Sequence, residues 1–373
     1  MRLTDKMITV FGELVRCGIW GTDPNILLFD ELNSAEWDTL FRMVGKHAVT
    51  GITFPIIEKL PATLRPQRKI YLEWCGMALH IKNTNQRMRE VYEELIGWFE
   101  QAGVYPILMK GIGVADWYPQ PMLRIAGDID LYVERSSYQT AVALIKQAGI
   151  CLKQTPEHDE FIFQGIQIEL HTDTSHYGTI FEKQNMTDVM SGERVTYHIP
   201  SVEANALLLI QHPAKHMFTS GSAIRHLCDW AVFLQRNYDR IVYDRIEVVF
   251  QHEKIELFAI VFTSLATNFL GLDKTVVPQS WLDKSRKKQE QVLLKDLLAK
   301  GDCGIHYCHE RHAMGNLSFS WNACKSWISY YGSTYIRLCR LSILFPGVIH
   351  KMIMERIVCR MKMLIKGSPF ASC

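Results

Sequence analysis

No apolar run in this chain approaches the roughly twenty residues that a bilayer-spanning helix needs. The opening Met1-Arg2-Leu3-Thr4-Asp5 has none of the long apolar character of a secretory segment, and Thr4-Asp5 ahead of Ile8 to Val15 reads as a helix start instead. Charge of one sign is also scarce: 41 Lys and Arg against 39 Asp and Glu leave a net charge of +2. No global field therefore points to nucleic acid, and RNA as a partner is not indicated by net charge. The ten cysteines fall at irregular spacings that form no disulfide framework, so the expectation is a cytoplasmic protein with free thiols. Internal repeats and low-complexity tracts are absent, which excludes solenoid and disordered classes. What remains is a 373-residue chain, 48% hydrophobic, long enough to bury a sizeable core in two or three lobes.

The chemistry concentrates between Val104 and Val133. An apolar run stops at Lys110 and Gly111, and a second, Asp128-Ile129-Asp130-Leu131-Tyr132-Val133, carries two carboxylates two residues apart. Side chains alternate across a strand, so Asp128 and Asp130 project from one face while Ile129 and Leu131 enter a core on the other. Adjacent carboxylates repel each other. A divalent ion turns that repulsion into coordination. In a second period-two segment, Ile166, Ile168 and Leu170 alternate with Gln167, Glu169 and His171, placing Glu169 on the polar face. If the two strands are neighbours, three carboxylates converge in the oxygen-rich arrangement suited to Mg²⁺ chemistry on phosphates. The bland alternative is a solvated strand edge, since an Asp-x-Asp pair is common.

Leu108-Met109-Lys110-Gly111, Trp117-Tyr118-Pro119, Arg124 and Gly127-Asp128-Ile129-Asp130-Leu131 resemble a largely uncharacterised bacterial nucleotidyltransferase family of the polymerase-beta-like superfamily. The resemblance continues through Ile168-Glu169-Leu170-His171 and Arg225-His226-Leu227-Cys228-Asp229-Trp230 and covers about half the chain. It implies a nucleoside triphosphate substrate, Mg²⁺ or Mn²⁺ as cofactor, and an association with surface-polysaccharide genes. The wider superfamily follows its glycine with a second Gly and a Ser that grip the triphosphate; this chain has Ile112 and Gly113 there.

Around this centre the chain reads in order. Helical periodicity runs from Leu3 to about Phe99, with Trp37, Leu40, Phe41 and Val44 forming one apolar stripe. Val104 to Met109 predicts the first strand, and Gly113 to Tyr118 a short helix stopped by Pro119 and Pro121. A further helix is expected to start at a Ser136 or Ser137 cap and end at Gly149. Gln164-Gly165 predicts a hairpin joining Phe161 to Phe163 with Ile166 to His171, and Val195 to Ile199 one more strand. Pro200-Ser201 opens a long apolar helix holding His212 and His216 one turn apart. The fold class expected is α+β, a small mixed-sheet nucleotidyltransferase core at residues 101 to 200 between helical lobes at 1 to 100 and 201 to 373.

Each candidate outside the carboxylates carries two readings. Lys110 and Gly111 end the strand at a turn, where Lys110 either neutralises a phosphate or snorkels over the surface. Arg124 either binds nucleotide phosphates or pairs with Asp128 or Asp116. His171 shares the polar face with Glu169 as a ligand-orienting group or a satisfied structural histidine. His212 and His216 have zinc-compatible spacing, although Pro213 lies between them and no zincin glutamate is near. Arg225 and Asp229 are four apart on a helix, either an ion pair or, as the resemblance implies, a pocket wall beside the carboxylates. Cys303, His306, Cys308, His309 and His312 match no common zinc spacing. The basic amphipathic stretch Tyr335 to Lys366 either covers a core with its stems or rests on RNA or an anionic membrane.

The function expected is metal-dependent transfer of a nucleoside monophosphate from a triphosphate to an unknown hydroxyl acceptor. Asp128, Asp130 and Glu169 would hold metal, and Lys110, Gly111 and Arg124 the nucleotide. Two rivals stand beside it. One is a toxin-like transferase modifying RNA or protein. The other is an inactive nucleotide-binding scaffold, motivated by the missing Gly-Ser grip.

Overall fold

The computed structural model describes residues 4–155, 158–172, 187–191, 196–219, 221–285, 287–301 and 336–354. The chain begins with four helices, α1 (Asp5–Trp20), α2 (Ser34–Lys46), α3 (Thr50–Lys59) and the long α4 (Arg68–Gln101). Thr4 caps α1, and Asn33 with Glu36 forms a reciprocal capping box on α2, so the local sequence sets both helix starts.

A five-stranded sheet follows, assembled from β1 (Ile107–Met109), β2 (Ile129–Tyr132), β3 (Lys153–Gln154), β4 (Asp159–Phe163) and β5 (Ile166–His171) in the order β1-β2-β5-β4-β3. β2 and β5 run parallel while the other pairs are antiparallel, giving the mixed sheet that the sequence predicts. The α5 turn (Gly111–Ala115) leaves β1, and α6 (Arg135–Gln147) leaves β2. A separate ribbon pairs β6 (Thr187–Ser191) with β7 (Thr196–Pro200).

Alternation along the strands decides what each face does. Ile129, Leu131, Ile168 and Leu170 are fully buried against Tyr92, Leu95 and Phe99 of α4 and Ala141 and Ile145 of α6. Each such side chain contributes about 1.5–3 kcal/mol relative to leaving it exposed. Tyr132 points to the opposite face, where Ala204 and Leu208 of α7 (Val202–Phe218) pack on it with Ile107 and Met109. One face is thus core, and the other is partly roofed by α7.

After α7 come α8 (Ile224–Asn237), α9 (Tyr243–His252), α10 (Glu256–Leu270), α11 (Gln279–Lys284) and α12 (Lys287–Lys300), with helical stretches at 336–344 and 346–354. Helices from both ends of the chain share one apolar core, in which Phe11, Leu14 and Trp74 lie with Trp230, Phe258 and Phe262. Cys17, Cys75, Cys151, Cys228 and Cys339 are free thiols. Among the described residues no helix is long and apolar enough to cross a membrane. The Cys303 to His312 cluster lies outside the described residues, as does most of the basic stretch after Tyr335.

Three local expectations shift. The second strand begins at Ile129, so Asp128 stands just ahead of it rather than within it. Gly111 lies over the carbonyl of Asp128, where an added Cβ would sit only 3.1 Å from that oxygen. α6 starts two residues earlier than a Ser136 cap would set it, with Glu134 at the cap position and no side-chain cap bond, and the Ser136 hydroxyl donates to the Glu134 carboxylate. The helix after β1 starts at Gly111, two residues early.

Candidate active site

A cavity of about 840 Å³ opens between the polar face of the sheet and the α7–α8 pair. Helical spacing explains its roof. Ala204 and Leu208 rest on the sheet, and His212 follows Leu208 at the same spacing on that face of α7, with His216 a turn further on. The cavity wall includes Lys110, Gly111, Arg124, Asp128, Asp130, Glu169 and His171 from the core, and His212, His216, Arg225 and Asp229 from the helices.

Asp130 and Glu169 are direct register partners on the parallel strands β2 and β5, so their side chains leave the sheet on one face. His171 Nε2 lies 3.1 Å from Asp130 Oδ1 and 3.5 Å from Glu169 Oε2, so one ring nitrogen reaches both carboxylates. Lys110 Nζ lies 3.3 Å from the other Asp130 oxygen.

Burial alone would raise the Asp130 pKa, but the Lys110 ammonium and the His171 ring outweigh it and hold the carboxyl below its ordinary range. Asp128 goes the other way. Burial first, then repulsion from Asp130 and Glu169, pushes it up to about 7. Burial pulls His171 down, yet its bonds to Asp130 and Glu169 prevail and raise it. Burial, with the neighbouring carboxylates, thus disfavours the charged form of Asp128, and added positive charge would favour it. Asp128, Asp130 and Glu169 are also the hard donor set that Mg²⁺ or Mn²⁺ takes.

A pH dependence follows. An acid whose folded pKa exceeds its unfolded value of about 3.9 adds stability below that value and loses it as pH rises. For Asp128 the loss spans about pH 4 to about 7; raised His171 acts in the same direction at higher pH, while lowered Asp130 adds stability that is lost only on acidification below about pH 4. The melting temperature in EDTA should fall between pH 5 and pH 8, less steeply in Asp128→Asn, and a divalent cation should flatten the wild-type curve. Identical slopes for wild type and variant would show that Asp128 is not the group responsible.

Lys110 adopts φ 55°, ψ −142°, backbone that only glycine enters freely. A lysine is held there while its ammonium reaches Asp130. Replacing it separates strain from charge. Lys110→Ala and Lys110→Gly both remove the ammonium, but only alanine keeps the strain, so the glycine variant should be the more stable by about 1–3 kcal/mol in urea denaturation. In ordinary backbone the order is reversed, glycine being the less stable by roughly 0.5–1 kcal/mol, and that order here would refute strain at Lys110.

Arg124 is fixed inside the protein. Its Nε and Nη2 donate to Asp229 at 3.0 and 2.6 Å, and its Nη1 donates to the Gly111 carbonyl at 3.0 Å. The Tyr118 hydroxyl adds a third donor to Asp229 at 2.7 Å. The partner is thus neither Asp128 nor Asp116; Asp116 pairs with Arg89. Arg225, on the same helix as Asp229, donates from Nη1 to the Ile125 carbonyl at 3.0 Å. Together these bonds tie α8 to the turn after β1 and to the loop before β2.

On the roof, the His212 and His216 rings lie 4.3 Å apart, and His226 joins them at 5.2 and 5.9 Å. Burial, together with the nearby charges of Lys110 and Arg225, drives His212 and His226 well below the usual histidine range, so both are neutral. His226 Nδ1 accepts from the Ala223 amide, which leaves its proton on Nε2.

The wall residues to which the sequence reading gave no role include His158, Gln211, Lys215 and His226, the last quoted only within the Arg225–Trp230 motif. One signal was available for His158. Continuing the hairpin register one residue beyond Asp159 opposite Leu170 sets it across from His171. Gln211 gave none. Both atoms of its buried amide lack a hydrogen-bond partner among the described residues, a property of the packed state.

Among protein families, the model described as "Uncharacterised nucleotidyltransferase" matches residues 33–271. No curated protein and no solved structure matches the chain.

Proposed function

The chain belongs to this nucleotidyltransferase family, and on that premise we propose that it moves a nucleoside monophosphate from a nucleoside triphosphate to a hydroxyl acceptor, with Mg²⁺ or Mn²⁺ as cofactor. The observation that carries the reading is the convergence of Asp128, Asp130 and Glu169 on one cavity wall.

Asp128 and Asp130 would hold the cation, which would supply polarisation of the phosphate oxygens and neutralisation of their charge. Glu169, on the neighbouring strand, accepts the proton of the acceptor hydroxyl at a carboxylate oxygen or shares a second cation. Lys110 supplies a point charge to the phosphates from the turn where the superfamily's serine is missing. Arg124 serves differently from a free phosphate clamp: anchored on Asp229, it positions the Gly111 backbone at the cavity floor. Phosphoryl transfer requires positioning and charge neutralisation more than a nucleophilic side chain, so this set is chemically sufficient. The acceptor class favoured by the family resemblance is a sugar hydroxyl of surface-polysaccharide metabolism.

The test is to incubate the protein with each nucleoside triphosphate, labelled at the α or the γ phosphate, with Mg²⁺ or Mn²⁺ and fractionated small-molecule, RNA and protein acceptors. The proposal expects α-label in a small-molecule acceptor product, with the γ-label leaving in pyrophosphate and none on the acceptor. Label in RNA or protein would favour the toxin-like alternative. Transfer of the γ-label would make the protein a kinase.

A further inference from the structure

The cavity wall carries more than oxygen donors. His158 stands immediately before β4, and its Nε2 lies 3.5 Å from Glu169 Oε1; the other Glu169 oxygen lies 3.5 Å from His171 Nε2. The two imidazole rings have centroids 5.1 Å apart. The donor atoms of His158, Glu169 and His171 all lie within 4.8 Å of one another. Asp130 Oδ1 borders the group 3.1 Å from His171 Nε2, and Glu160 Oε1 lies 3.2 Å from His158 Nε2 on the outer side, itself paired with Lys153.

Those spacings fit a coordination shell. Around a cation bonded at about 2.0–2.2 Å, adjacent donors stand roughly 2.8–3.6 Å apart along the edges of an octahedron or tetrahedron. Both nitrogen-to-carboxylate separations within the group, 3.5 Å from Glu169 to each ring, are of that size. All three residues line the cavity, so an ion has access from the nucleotide side.

We propose that His158, Glu169 and His171 form a site for a first-row transition-metal dication, of the class that includes Zn²⁺ and Mn²⁺, beside the Asp128–Asp130 position. Donor chemistry gives the selectivity. Mg²⁺ demands oxygen and gains little from imidazole, whereas two histidines and one carboxylate with open positions match zinc and related ions. Sharing Glu169 with the carboxylate cluster puts the ion next to any bound triphosphate. The site goes beyond the transfer reading and does not need it, because its donors would bind metal whether or not a nucleotide is transferred. The competing reading is structural, with the two rings serving only as hydrogen-bond partners of Glu169, Asp130 and Glu160.

Pulsed electron paramagnetic resonance of Mn²⁺ on the metal-stripped full chain separates the two. The expected result is coupling of the bound Mn²⁺ to two imidazole ¹⁴N nuclei in the wild type and to one in His158→Gln. A few equivalents of Zn²⁺ should remove the signal, and a large excess of Mg²⁺ should leave it. Asp128→Asn should retain the nitrogen coupling, since Asp128 is not among the three donors. Loss of His158 should weaken Zn²⁺ binding by more than the roughly 10- to 100-fold that an outer-shell partner costs. No ¹⁴N coupling in the wild type would overturn the site without reference to any variant, as would loss of the nitrogen-coupled Mn²⁺ signal to Mg²⁺ as readily as to Zn²⁺. The two readings fail separately. Mg²⁺-supported transfer without nitrogen coupling removes this site and leaves the transferase; nitrogen coupling without transfer does the reverse.

Discussion

Asp130→Asn is expected to lower nucleotidyl transfer by about three orders of magnitude or more, an activation cost of ~4 kcal/mol, while leaving the fold in place. The amide preserves shape but removes the charge that binds the cation, and Asp130 is touched by both Lys110 and His171. Removing it should also abolish dependence on divalent-metal concentration. Circular dichroism and a melting curve guard against a trivial loss through unfolding, because Asp130 is only 5% exposed. Transfer within about tenfold of wild type, where tenfold is 1.4 kcal/mol, would take Asp130 out of the reaction.

The second large effect is on stability. Arg124 and Asp229 are 5% and 3% exposed and meet in a two-pronged ion pair that also receives Tyr118. Breaking a buried pair leaves one charge without its partner and typically costs about 3–5 kcal/mol. Asp229→Asn and Arg124→Met should each lose stability on that scale in urea denaturation. The double replacement Arg124→Met with Asp229→Leu should lose much less than the sum, since no charge is stranded and apolar side chains can replace a buried ion pair at little cost. Additive losses would show that the two residues do not act as a unit.

The contrast between these residues shows what was legible in the sequence. The hairpin at Gln164-Gly165 has a local cause, and because side chains alternate strictly, its register brought Glu169 to the polar face. Asp130 beside Glu169 then needed only one more step, pairing β2 with β5. The start of β2 at Ile129 was less accessible, since the close approach of Gly111 to the Asp128 carbonyl is made by chain outside the strand. Arg124 shows where local reasoning ends. Its partner lies on α8, far along the chain, and Asp116 and Asp128 were the acids within reach of sequence spacing. The roof of the cavity is similar. Periodicity places His212 on the face of α7 that carries Leu208, but only packing brings His226 of α8 against it. The strain at Lys110 left no trace in composition, because a strand-ending lysine reads the same at any φ.

The measurement closest to the central claim is a calorimetric titration of each nucleoside triphosphate into wild type and Asp130→Asn, once with Mg²⁺ or Mn²⁺ and once in EDTA. The account predicts saturable binding of at least one triphosphate by the wild type only when the divalent ion is present, and none by Asp130→Asn in either condition. Equal affinity with and without metal, or equal affinity in the two proteins, would contradict a metal–nucleotide site built on Asp128, Asp130 and Glu169.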